Sequence, residues 1–184
     1  LYWVFADPVN WLPGPQRPDA LWQEIRDAGF NTLHTYAFEH NDGRDTDENA
    51  LAYLDTAQEF GFKVMMGFRR EWVADGNYEA IRQRIARLKD HPALLCWTIW
   101  DEPNLQNDIP WWLNRCTEVY KMVNELDPYH PAMEVFGTVS NVSWFNGCTD
   151  VNLWDYYPGR GNQGVLPPLL ASTREQLPTV PLWY

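Results

Sequence analysis

The residues best placed to do chemistry are two adjacent acids at the end of an apolar run. In Trp97-Thr98-Ile99-Trp100-Asp101-Glu102-Pro103-Asn104 the pair follows a stretch that carries no charge from Ala93 to Trp100. Two carboxylates held close together repel when both are ionised, which raises at least one pKa. A carboxylic acid kept protonated near neutral pH is what glycosidic cleavage needs, because the leaving oxygen must receive a proton. The same residues also fit a plain turn, with Asp101 capping the next helix and Glu102 facing water. Further candidates end other predicted strands: Asp7, Tyr36, Glu39, Arg69 with Arg70, Glu134, Asp155, Tyr156 and Tyr157. The sequence contains no HxH and no HExxH, so no metal centre is expected. It also lacks GxxxxGK[ST], and no cofactor is expected.

The elements that would position these groups alternate between helical and strand periodicity. Helical stripes run through Leu21, Ile25 and Ala28, then Leu51, Leu54, Ala57 and Phe60, then Tyr78, Ile81, Ile85 and Leu88. A fourth passes through Trp112, Cys116, Val119, Val123 and Leu126, and a last helical segment is expected near 166–177. Strands are expected at 1–5, 30–36, 62–68, 93–100, 132–137, 151–156 and 180–184. The helix-to-strand joints Ala28-Gly29-Phe30 and Phe60-Gly61-Phe62 are thirty-two residues apart, the length of one β/α unit. Near-continuous apolar strands between helices predict a parallel sheet covered by helices. The predicted fold class is α/β: a (β/α)8 TIM barrel, incomplete, with about seven strands, in a single domain over 1–184. The chain starts and stops inside apolar strand-like runs, so it is expected to be a fragment of a longer protein.

Composition excludes several partners. The 184 residues carry 25 acidic and 14 basic side chains, a net charge of −11. Nucleic acid and anionic membrane surfaces call for a basic footprint, so neither is expected. No apolar run approaches the roughly 20 residues of a membrane span. Three separated cysteines, Cys96, Cys116 and Cys148, form neither a disulfide framework nor a CxxC pair. Aromatic residues reach 15% with eleven Trp, and flat apolar rings with one polar edge suit sugar faces as well as a core. Trp112 falls on the helix stripe, whereas Trp111 and Trp72 are free to stack on sugar. Asp45-x-Asp47-x-Asn49 starts like a calcium loop, but Ala50 stands where that loop needs Gly and Thr56 where it needs Glu.

The segment Pro92-Ala-Leu-Leu-Cys-Trp-Thr-Ile-Trp-Asp-Glu-Pro-Asn104 resembles the fourth-strand signature of the clan A glycoside hydrolases, a large set of retaining (β/α)8 enzymes. There the strand ends in Asn-Glu-Pro, and the Glu is the general acid/base. The resemblance implies that role for Glu102. Asp101 stands where most members carry an Asn that holds the sugar 2-hydroxyl, and an Asp can accept from that hydroxyl too. Tyr36 and Tyr156 or Tyr157 resemble the clan's aromatics at the ends of strands two and six. Pro181-Leu-Trp-Tyr184 resembles the start of the strand that ends in the nucleophilic Glu. That Glu is therefore expected two positions past Tyr184, which would leave this stretch inactive alone.

The resulting expectation is a retaining glycosidase acting on an oligo- or polysaccharide, secreted or periplasmic, with Glu102 as general acid/base. Asp101, Tyr36, Glu39, Arg69, Trp100, Glu134, Asp155, Tyr156 and Tyr157 are the expected substrate-binding residues. Two alternatives use the same features: a carbohydrate-binding barrel without catalysis, and a barrel lyase or isomerase with Glu102 as base.

Overall fold

A computed structural model describes residues 3–5, 19–40, 43, 45–155, 164 and 166–183. Asp7, Tyr156 and Tyr157 lie outside the described residues. The chain divides into two compact units, Leu1–Trp97 and Thr98–Tyr184.

The first unit alternates β1 (Trp3–Phe5), α1 (Asp19–Asp27), β2 (Thr32–Thr35), α2 (Asp47–Glu59), β3 (Lys63–Gly67), α3 (Arg70–Asp75) and α4 (Tyr78–Leu88). It also holds the first half of β4 (Leu94–Asp101). β1 pairs with β2 and β2 with β3, both parallel, in the registers Trp3↔Thr32 and Thr32↔Lys63. Every residue of β2 and the last four of β3 are buried. Parallel strands covered on both faces read as continuous apolar runs; β3 does so over Val64-Met-Met66, whereas β2 buries the polar Thr32, His34 and Thr35. The helices close over them with Trp22, Tyr53, Leu54, Ile81, Ile85 and Leu88, each at most 2% exposed. Trp22 is the hub: its ring lies 5.1 Å from Tyr53 and 6.0 Å from both Phe60 and Phe62. Thr46 caps α2 by accepting from the Asn49 N–H at 3.2 Å, a bond worth about 1 kcal/mol. Gly61, at φ +75°, then turns the chain into β3.

The second unit contains the rest of β4, then α5 (Ile109–Leu126), β5 (Ala132–Phe136), β6 (Val151–Trp154), α6 (Leu166–Gln176) and β7 (Leu182–Trp183). β5 and β6 are parallel with Met133↔Val151 and Glu134↔Asn152 in register, and β6 and β7 are parallel with Asn152↔Leu182. Pro110 at the start of α5 removes a backbone N–H that would have no helical partner there, and Asp108 accepts from Trp111 N–H at 3.1 Å.

The (β/α)8 barrel expectation is corrected. Among the described residues, six strands have three residues or more, and β7 is a two-residue segment. Among the described residues, β1 pairs with β2 and β7 with β6. The reason is length: at thirty-two residues per β/α step, 184 residues hold just under six steps. The architecture is α/β with parallel strands in chain order.

Candidate active site

The acid pair belongs to the second unit. β4 ends at Asp101, and the chain then turns sharply: Glu102 adopts φ 53° and ψ 52°, a left-handed backbone. Such a conformation costs a non-glycine residue about 1–3 kcal/mol unless its surroundings enforce it. Here they do. Pro103 disfavours the right-handed helical region for the residue before it. The Glu102 N–H donates to the Val135 carbonyl of β5 at 2.9 Å. Its own carbonyl accepts from Leu105 N–H at 3.1 Å and from Gln106 Nε2 at 3.3 Å. Pro103–Leu105 form a single 3-10 turn, with Pro103 and Asn104 buried.

This turn sends the Glu102 side chain onto the backbone that follows β5. A Cβ built on Gly137 would lie 2.9 Å from Glu102 Cδ, overlap its Oε1, and come within 3.5 Å of the Asp155 carbonyl. Asp155 is held beside it because its N–H donates to the Phe136 carbonyl at 3.0 Å. Partial burial raises the Glu102 pKa above the ordinary carboxyl value, and the charges of Asp101 and Asp155 raise it further. A partly buried carboxyl that resists ionisation can donate a proton near neutral pH.

Aromatic rings extend from the same strand end. Trp100 is buried, its ring 4.1 Å from that of Trp112. Trp111 stands edge-on to Trp112 at 4.7 Å, is 38% exposed, and has the Arg115 guanidinium 5.0 Å from its ring. Trp111 is thus the open face of this group.

The remaining predicted site residues have neighbours of their own. Glu134 is fully buried on β5. Burial pushes the Cys116 and Cys148 thiols up, and the neighbouring Glu134 carboxylate pushes them further. Glu134 thereby shares surroundings with Cys116, a side chain of α5. In the first unit, Arg70 lies 3.7 Å from the buried Glu39 carboxylate and 5.8 Å from the Tyr36 ring. His34 meets Tyr36 edge-on at 4.7 Å. A side chain at Gly67 would overlap Glu39 Oε1 and reach within 2.6 Å of its Cδ. Arg69 pairs with the buried Asp45 and lies 5.2 Å from the Trp72 ring. Trp72 is also covered by Arg84 at 4.5 Å, which leaves less of its face for a ligand.

Sequence reasoning passed over Gly137 and Asn104, both of which touch the Glu102 turn. Asn104 carried a signal, since it follows Glu102-Pro103 directly. Gly137 carried none, because its closeness to Glu102 arises only when β4 and β5 come together.

No protein-family model matches the chain, and no curated protein matches it. Among solved structures, it is similar to an FMN-binding β-glucuronidase from Facaelibacterium prausnitzii L2-6, with TM-score 0.69 and 20% identity over 89% of this chain and 26% of that one. It is similar also to a GH2 β-galacturonidase from Eisenbergiella tayi, with TM-score 0.67 and 19% identity over 90% of this chain and 31% of that one. A β-glucuronidase from Bacteroides uniformis gives TM-score 0.67 and 16% identity over 89% and 21% of the two chains. The chain spans under a third of each of these proteins. At these identities the likeness establishes the fold, one that occurs within glycosidases.

Proposed function

We propose that this chain carries the acid/base carboxylate of a retaining glycoside hydrolase acting on an oligo- or polysaccharide, with Glu102 in that role. One observation carries the reading: Glu102 is forced by a left-handed turn onto Gly137, between the Asp101 and Asp155 charges that favour its protonated form. The fold likeness to glycosidases supports it.

Glu102 enters the reaction as the neutral acid. As the bond between the anomeric carbon and the leaving oxygen breaks, the Glu102 proton passes to that oxygen and the leaving group departs as an alcohol. Retention places a second carboxylate about 5–5.5 Å away as nucleophile, forming a covalent glycosyl ester. Glu102, now ionised, then takes a proton from water as the water attacks the anomeric carbon, which returns the neutral acid. Asp101 accepts a hydrogen bond from a sugar hydroxyl, Asp155 shapes the charge around the acid, and Trp111 offers a ring for a sugar face.

The test is Glu102→Gln in the full-length protein, assayed on β-glucuronides, β-galacturonides and β-galactosides with good and poor leaving groups. Loss of the acid should cut turnover of poor leaving groups by roughly 10²–10⁴-fold. Aryl glycosides that leave without help should keep most of their kcat/KM, while their kcat and KM fall together because hydrolysis of the ester has lost its base. Because the acid must be protonated, wild-type turnover should hold as pH rises past the ordinary carboxyl range and fall on an alkaline limb. That limb should vanish in Glu102→Gln. Equal loss of kcat/KM for all leaving groups, or none, would refute the assignment.

A further inference from the structure

We propose that Asn104 is a positioning residue for Glu102, pinning the backbone after Gly137 against the Glu102 turn so that the acid stays seated on Gly137. The inference rests on the reading of Glu102 as proton donor. Asn104 is 1% exposed, and its Nδ2 donates to the Thr138 carbonyl at 2.9 Å and to the Ser140 carbonyl at 2.8 Å. Both accepting residues belong to the segment that begins directly after Gly137. On the other flank, the Glu102 N–H is bonded to the Val135 carbonyl. The turn is therefore tied at residue 135 and again at residues 138 and 140. Gly137 lies between the two ties, and there the Glu102 carboxyl occupies the space a side chain would need.

The chemistry of the side chain fits this role. Asn104 Oδ1 is buried and makes no hydrogen bond, so the residue serves through its two amide hydrogens. An Asp of the same shape would turn carboxylate oxygens toward two carbonyl oxygens and push the segments apart. Without the second tie, the segment carrying Gly137 is free to draw away. Glu102 then loses the floor that keeps it beside Asp101 and Asp155, and its carboxyl turns toward water.

The experiment follows the Glu102 carboxyl directly by carbon-13 NMR titration of the full-length protein, with Glu102→Gln identifying the resonance. The pH profile of glycoside hydrolysis is recorded in parallel. In Asn104→Ala the Glu102 titration should move down toward the ordinary carboxyl value, and the alkaline limb should move down with it. Turnover should fall by roughly 10–100-fold, the scale of a small misplacement of a reacting group, while KM changes little. A variant that melts earlier yet keeps the wild-type Glu102 titration and pH profile would show a merely structural residue and overturn the proposal. Should Asn104→Ala not fold, Asn104→Ser is read in the same way. In the companion variant Gly137→Ala, which pushes the carboxyl off its seat directly, an unchanged Glu102 titration also overturns the proposal. The titration needs no substrate. A protein that hydrolyses no glycoside, but whose Glu102 titration follows residue 104, refutes the glycosidase reading and upholds the positioning role.

Discussion

His34 shows how a single buried group ties this fold to pH. It lies on β2 at 2% exposure, and burial pulls its imidazole pKa from 6.5 to about 4. The folded chain therefore keeps His34 neutral where the unfolded chain has already bound a proton. Stability is fully present above the unfolded value and is lost as pH falls toward 4, by about 3 kcal/mol for this group. Urea unfolding at about pH 7 and about pH 4.5 should show that loss, and His34→Gln should shrink the difference between the two. Residues of this kind were partly legible in sequence. Glu102 stood out because an apolar strand ended in adjacent acids before a proline. Glu134 also ends up on a strand, but its strand position did not reveal that its neighbours would be the thiols of Cys116 and Cys148. Which face of a fully buried strand a residue takes is invisible when both faces are apolar.

Among the elements, the loop leading into α2 is held by a residue of α4. Arg84 is fully buried; its Nε donates to Asp47 at 2.9 Å, Nη1 to the Phe38 carbonyl at 2.9 Å, and Nη2 to the Asp45 carbonyl at 2.5 Å. Burial lowers its pKa, while Asp47 and Asp45 oppose that shift and keep the guanidinium charged. Arg84→Met keeps the volume and removes every donor, which leaves two buried carbonyls without a partner. Stability should drop by about 3 kcal/mol, read from urea unfolding. The long helices were legible from their apolar spacing, α4 most of all. The six-residue α3 was not, since it offers fewer than two turns of periodicity before Gly76 ends it in a left-handed cap at φ 70°. The last strand was expected at 180–184; among the described residues it forms at Leu182–Trp183, where β6 provides a pairing partner.

For the whole molecule, the governing quantity is its charge of −11. Like charges repel more in the compact chain than in the expanded one, and salt screens that repulsion. Raising NaCl from about 0.01 to about 0.15 M shortens the screening length from roughly 30 to 8 Å. The melting temperature should rise by about 2–4 °C, read by circular dichroism. No rise would mean that opposite charges are already well matched across the surface. The alternation of helix and strand, and with it the α/β class, was readable from period alone; the number of strands was not, because edge segments shorten wherever no neighbour completes their hydrogen bonds. The left-handed backbone at Glu102 also bears on the history of the chain. Glycine and asparagine would relax that backbone most easily, yet neither can hand over a proton. Branched side chains fit it worst and bring no acid either. On the proposed reading of Glu102, drift at this codon toward glycine or asparagine eases the backbone but forfeits the acid, and aspartate, which also tolerates it, brings a shorter carboxyl.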